Sequence, residues 1–344
     1  MALRNLRRAA IALSLPLALA ACAHAPPPAP ASAPEPLVWP EPPATPRVRL
    51  ALVIATPVGA EPKRSLWQRA WRAFVGLDAE HEDRPRFQRP FGVASTEDGD
   101  LVVADPDAAM VVRLRVGAPS ATLGCSDQAW GAPMGVAVSE KGDVYVADAG
   151  EAVVVRIGAD GRCARMGAGQ LERPTGLAMR DGRIYVADPP RHHVVVLSDS
   201  GAVLATVGAH GDDDGGLNFP TGVALDPAGN LLVVDALNFR IARFAPDGSW
   251  LGAFGATLED GGPFAMPKGI ATDPEGRIYV SDAQRDVVVV FHPDGTLDYA
   301  LGDSGEAPGR FTHPAGIASA RGRVYVADSY ARRVQAFEII GAQR

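Results

Sequence analysis

Helical periodicity is missing from almost the whole chain. Between its short apolar runs no stretch of ten to fifteen residues repeats at helical spacing, which excludes a solenoid of alternating strands and helices. Basic charge is in deficit: 33 Lys and Arg face 40 Asp and Glu, a net charge of −7. That argues against nucleic acid, whose binding proteins show a basic footprint. Cysteine is rare, with Cys22, Cys125 and Cys163 the full set. No Ser/His/Asp or Cys/His arrangement stands out, and no His or carboxylate set stands at metal-ligand spacing. No catalytic residue, metal or cofactor is therefore expected. The apolar run Ala9 to Ala21 is too short to cross a bilayer as a permanent helix.

What is present is a repeat. The pattern Pro-x-Gly-apolar-Ala recurs at Pro90, Pro133, Pro174, Pro220, Pro267 and Pro314, at spacings of 43, 41, 46, 47 and 47 residues. Each copy is followed about a dozen residues later by an apolar triplet ending in Asp: Asp105, Asp148, Asp188, Asp235, Asp282 and Asp328. The fourth copy, Phe219 to Gly255, breaks at its Gly, Pro and Asp turns into four short runs: Val223 to Leu225, Leu231 to Val234, Ile241 to Phe244 and Trp250 to Phe254. Four such strands make one antiparallel sheet that cannot bury both faces alone. Six arranged radially can, so the expected fold is all-β, a six-bladed β-propeller of four-stranded antiparallel blades.

The stretch PTGVALDPAGNLLVVDALNFRIARF, with its counterparts over roughly residues 86 to 340, resembles the NHL repeat. The resemblance implies a six-bladed propeller without implying one activity, since some six-bladed relatives are zinc-dependent lyases or sugar lactonases. Repeats four to six match most closely. Repeats one and two lack the polar-x-Arg before the third strand.

The last repeat stops after its third strand, Arg332 to Ile340, leaving an edge that proteins normally cover. The apolar segment Arg47 to Thr56 is expected to supply the missing strand and clasp the ring. Ahead of it, residues 1–22 carry Arg4, Arg7 and Arg8, an apolar run and Leu19-Ala20-Ala21-Cys22. This resembles a bacterial lipobox, implying lipidation at Cys22. Ala23 after the Cys implies the outer membrane, facing the periplasm. Residues 23–46 hold ten prolines between Ala25 and Pro46 and read as an extended spacer. Residues 47–85 take the clasp strand and an amphipathic helix over 62–78, where Leu66, Trp67, Ala70, Trp71, Phe74 and Val75 oppose Lys63, Arg64, Arg69 and Arg72. That helix either caps the propeller or touches membrane. Residues 86–344 form the propeller.

Export permits a disulfide between Cys125 and Cys163. Counted from the glycines that end their outer strands, however, the two lie about 16 Å apart along the strand. A bridge needs Cα atoms within about 7 Å, so pairing is disfavoured.

The recurring Asp reads as structural, accepting backbone hydrogen bonds, with His193, Arg240 and Arg333 in the same service. The residues after the six prolines, Phe91, Met134, Thr175, Thr221, Lys268 and Ala315, should line the channel, where Lys268 is the one charged group. The loops between second and third strands are small and acidic in copies one and two but hold Arg191, His192, Arg285, Tyr330 and Arg332 in copies three to six. These five residues form a cationic, partly aromatic arc suited to a partner. The expected function is a monomeric, lipid-anchored scaffold that binds an envelope protein or an anionic surface polymer. The alternative is a propeller enzyme, a lyase or hydrolase, working at the channel mouth.

Overall fold

The computed structural model describes residues 36–55, 87–96, 98–115, 119–126, 129–255 and 262–341. The lipobox with Cys22, the first part of the Pro-rich stretch and the 62–78 helix lie outside the described residues. Six antiparallel sheets follow the six copies. Blade two shows the plan: Pro133–Val138, Val144–Asp148, Val153–Ile157 and Cys163–Met166 form an up-and-down meander from the channel outward. Second strands such as Leu101–Asp105 and Leu231–Asp235 are buried at every residue, because both faces of each sheet pack on neighbours. That is why they read as unbroken apolar runs instead of alternating ones.

The core consists of six slabs, one per blade junction. Between blades one and two, for example, Val102, Ala104 and Val111 meet Val136, Val146 and Val153. The junction of blades six and one is made the same way, with Tyr325, Val334 and Ala336 against Leu101, Val103 and Val112.

The ring closes through the N-terminal strand. Val48–Ile54 pairs antiparallel with the third strand of blade six, Arg333–Ile339, from Val48 opposite Ile339 to Ile54 opposite Val334. Val48 is fully buried, Ile54 packs into the junction with blade one, and Arg49 pairs with Glu338. A further short strand, Val38–Trp39, adds a fifth member to this sheet, and the Trp39 ring stands edge-on to Phe337 at 5.5 Å. Residues 36–46 of the Pro-rich stretch therefore lie on the ring. A single tryptophan with an apolar face to cover overrides the extended preference of its prolines.

The glycine of each Pro-x-Gly explains the motif. A Cβ on Gly92, Gly135, Gly176, Gly222, Gly269 or Gly316 would run into the carbonyl oxygen of Met134, Thr175, Thr221, Lys268, Ala315 or Phe91, in each case on the next blade's inner strand. None of the six has positive φ, so close backbone approach, not conformational freedom, requires glycine here. The last of these contacts closes the circle, with Gly316 N–H donating to Phe91 O at 2.8 Å.

Cys125 and Cys163 are bonded, with Cα atoms 5.9 Å apart, which corrects the sequence expectation. The count along the strand is sound: Leu123 and Met166 occupy matching positions opposite Val111 and Val154. The error lies in assuming that outer strands stand upright. Strand twist accumulates across a blade, so the outer strand runs around the rim. The end of one outer strand then meets the start of the next. Gly201 abuts Met166, Gly248 abuts Val207 and Gly295 abuts Phe254, each at such a junction. Cys163 also lies opposite Ile157, whose side chain faces blade one, as Cys125 does from the other side.

Two measurements test this architecture. Gly135→Ala should lower unfolding stability by about 2–3 kcal/mol in denaturant titration, because the added methyl meets backbone that cannot turn aside. Reduction of the disulfide should cost about 3–4 kcal/mol, the chain-entropy value for a loop of this length, and Cys163→Ser should unfold at the same denaturant concentration with or without reductant.

Candidate functional site

In an up-and-down blade the turns between second and third strands share one face with the segments that enter the first strand. The recurring Asp builds this face. Each is buried, at no more than 1% exposure. Asp148 accepts from Gly131 and Ala132 N–H ahead of Pro133, and from Gly150 and Glu151 N–H in the following turn. Asp105 does the same with Gln88, Arg89 and Ala108, and Asp282 with Ala265, Met266, Gln284 and Arg285. The carboxylate thus ties the inter-blade segment to the turn of the same blade, a larger task than holding the turn alone.

Arg240 and Arg333 extend the clamp. Arg333 Nε donates to Asp328 at 2.7 Å, while its terminal nitrogens donate to the carbonyls of Glu306, Ala307 and Arg310. Burial raises the pKa of Asp328 despite this cation. His193 is too short for the same reach, and its buried Nε2 has no hydrogen-bond partner. Desolvation lowers its pKa.

Every turn ends in a residue with positive φ at the same repeat position: Ala109, Ala152, His192, Phe239, Asp286 and Arg332, with φ from 46° to 57°. This left-handed conformation is costly for residues other than glycine, and six copies hold it. Blades one and two place alanine there. Blades four and six place exposed Phe239 and Arg332 there, while blades three and five place half-buried His192 and Asp286, the latter accepting from His313 N–H and Ser304 Oγ–H.

The five arc residues all stand on this face, in unequal situations. Arg191 donates to Gln170 O at 2.8 Å and approaches Glu172, so it also holds a loop. Arg285 donates to Gly262 O at 2.8 Å. His192 Nδ1 accepts from Phe219 N–H, and its ring lies 4.2 Å from that of His210, with a pKa lowered by burial and by that second imidazole. Tyr330 is 58% exposed, edge-on to His313 at 4.7 Å. The Arg332 side chain is exposed and has no partner among the described residues. Sequence reading missed Phe239 and Leu237, 37% and 54% exposed, and the Arg173 guanidinium over the Phe219 ring. The signal was available: residues just before each proline share a face with these turns.

Lys268 lies in the channel as expected, apart from the arc, and burial lowers its pKa. The channel cavity is only 60 Å³, lined by the inner-strand residues of all six blades, and among the described residues it holds no other charged side chain. Among the described residues, no three His, Cys, Asp or Glu side chains are grouped to hold a metal ion.

A ring of six four-stranded blades, stapled by a buried Asp in every blade, defines the class: a six-bladed β-propeller carrying NHL repeats. The NHL repeat model matches residues 171–197, 217–244 and 311–337, in blades three, four and six, which hold His193, Arg240 and Arg333 five residues after the Asp. Blade five has Val287 there and is not matched. No curated protein matches the chain. Solved structures of the same fold include a streptogramin B lyase (16% identity, 74% of this chain and 94% of that one, TM-score 0.55). Another is a gluconolactonase from Xanthomonas campestris (22% identity, 74% and 86%, TM-score 0.58). A third is the nidogen/laminin complex (17% identity, 72% and 90%, TM-score 0.54).

The clamp and the arc separate by stability. Arg333→Met should cost about 3 kcal/mol, since it leaves a buried carboxylate unpaired. Arg191→Met, at an exposed pair, should cost less than about 1 kcal/mol. Thermal melts of the two variants check the contrast.

Proposed function

We propose that this protein is a scaffold, a lipid-anchored extracytoplasmic propeller that docks an acidic envelope protein or an anionic surface polymer on the face carrying the arc. One observation supports this reading above the others: the strained positions of blades four and six carry exposed Phe239 and Arg332, where blades one and two carry alanine. His192 and Asp286 at this position accept the backbone N–H of Phe219 and His313 and so serve the fold, whereas no contact among the described residues accounts for the exposed Arg332. Aromatic and arginine side chains on one face match the composition of interface hot spots.

The anchor rests on the lipobox around Cys22, and a periplasmic, outer-membrane placement on Ala23. Acyl chains at Cys22 would hold the ring near the surface where anionic polymers are found.

Lyases and a gluconolactonase among the structural neighbours make an enzyme the second reading, with Lys268 at its centre. It has fold-level likeness alone on its side. A lone amine in a 60 Å³ channel offers little room for a substrate.

The scaffold reading is tested by replacing Phe239 and Arg332 with Gly and Tyr330 with Ala. Because glycine relieves two left-handed positions, the melting temperature should hold or rise while capture of partners from envelope extracts falls at least about tenfold. Charge reversal of Arg191, Arg285 and Arg332 should do the same to an acidic partner. Undiminished capture by both variants removes the arc as a docking face.

A further inference from the structure

The segments that enter the blades depart from their own rule twice. Two consecutive N–H groups precede each repeat proline. In blades one, two, three and five both are accepted by the buried Asp of that blade: Gln88 and Arg89 by Asp105, Gly131 and Ala132 by Asp148, Glu172 and Arg173 by Asp188, Ala265 and Met266 by Asp282. In blades four and six only the first keeps that partner, Asn218 with Asp235 and Thr312 with Asp328. The second swings to the preceding blade. Phe219 N–H is accepted by His192 Nδ1 at 3.2 Å, and His313 N–H by Asp286 Oδ1 at 2.7 Å. Of the six residues just before the prolines, these two have positive φ, 59° for Phe219 and 53° for His313.

The cause is an arginine. Arg240 Nε donates to Asp235 Oδ2 at 2.8 Å, and Arg333 Nε to Asp328 Oδ2 at 2.7 Å. Asn238 and Gln335 each add a further donor to the same oxygen. In blade three His193 stands at the arginine's position, and both N–H groups stay on Asp188. With that oxygen occupied, the second N–H must find another acceptor. Left-handed backbone at a non-glycine residue is costly and persists only where its surroundings enforce it. Here one side chain on the preceding blade's turn enforces it.

The two contacts differ in chemistry. Asp286 accepts with a carboxylate, and His192 with an imidazole nitrogen. A neutral ring that accepts at Nδ1 carries its one proton on Nε2. A second proton would occupy Nδ1 and set a donor against the Phe219 donor. The ring is half-buried, with that of His210 4.2 Å away.

The charged groups around it come from four places. Arg191 and His193 lie on its own turn, and Glu172 and Arg173 on the segment entering blade three. His210 and Asp212 to Asp214 lie on the segment entering blade four, and Asp235 and Arg240 within blade four. Arg191 approaches Glu172, Arg240 pairs with Asp235, and the Arg173 guanidinium stands 5.9 Å from the Phe219 ring centroid. Burial, then His210, lowers the pKa of His192 below its ordinary 6.5, and Asp235 opposes them. The unfolded chain therefore takes up this proton more readily. The contact stabilises the fold above pH 6.5 and is lost as pH falls from there through the lowered pKa of the folded state.

We infer that His192 is a pH-operated latch between blades three and four. The neutral ring holds Phe219 N–H and keeps that residue left-handed. The protonated ring releases it, while Arg240 bars its return to Asp235. Release also frees the Phe219 ring from its place beside Arg173 on the arc face. The latch belongs to the free protein and operates whether or not the arc docks a partner.

NMR on the purified full chain, from about pH 7.5 to about pH 4.5, tests this through the His192 ring nitrogens and the Phe219 amide. At the upper end His192 should carry its proton on Nε2. On acidification the protection of the Phe219 amide, corrected for intrinsic exchange, should fall about fivefold, the worth of one hydrogen bond. Its midpoint should coincide with that of the His192 nitrogens. His192→Ala, which gives blade three the residue that blades one and two carry there, should leave Phe219 at the lower protection at either pH. Asparagine retains an acceptor, suits left-handed backbone and does not titrate, so His192→Asn should keep Phe219 protected throughout. A proton on Nδ1 at the upper end, wild-type protection that does not change with pH, full protection in His192→Ala, or the same acid loss in His192→Asn overturns the inference.

Discussion

Six glycines set the geometry of this ring. At Gly92, Gly135, Gly176, Gly222, Gly269 and Gly316 the backbone of one inner strand lies against the carbonyl of the next, at a distance no Cβ would permit. The contact fixes how near the inner strands stand and therefore how narrow the channel is. Hydroxyl groups reinforce it, with Thr175 Oγ1 donating to Thr221 O, Thr221 Oγ1 to Lys268 O and Ser329 Oγ to Pro90 O. The blade cores follow from it, because each sheet must bury both faces against neighbours whose spacing is already set. The same narrowness leaves little room for a ligand on the axis.

The second constraint acts on one of those faces. A buried Asp in each blade draws the incoming segment and the outgoing turn onto a single carboxylate, which leaves little freedom in the turn's path. The left-handed residue closing every turn is one consequence, and its φ varies by only about ten degrees around the ring. Uniform backbone with variable side chains is the arrangement seen wherever a rigid scaffold presents binding residues on loops. Asymmetry in the Ala109, Ala152, His192, Phe239, Asp286 and Arg332 series therefore carries information that their shared backbone does not.

Much of this was legible in the residues alone. Period, turn chemistry and apolar runs gave six four-stranded blades, and the missing strand of the last repeat pointed to residues 47–56, now seen paired as Val48–Ile54. Lys268 was placed in the channel by its position after Pro267. The disulfide was misjudged because the length of a strand can be counted in sequence while its tilt cannot. Twist accumulates through three neighbours before the outer strand is reached. The partners of Arg191 and Arg285 were equally out of reach, since both bind carbonyls of loops that enter their own blade about twenty residues earlier. A carbonyl leaves no mark in the side-chain alphabet. Trp39 was hidden for another reason: ten prolines around it outweighed one aromatic ring in any compositional reading.

The two faces differ in how they depart from the repeat. On the arc face the departures are additions, with exposed Phe239 and Arg332 where earlier blades have alanine. On the other face the blades differ in the partner of one tyrosine. Blade five satisfies Tyr279 with Asp273, whereas Tyr145, Tyr185 and Tyr325 at the same position make no side-chain hydrogen bond among the described residues. An added surface group suits a broad contact, where area and charge can be gained without rebuilding the fold. These departures leave the glycine contacts at the centre of the ring undisturbed. Repeat proteins tolerate this because each unit touches only its neighbours, and a change in one blade is paid for locally.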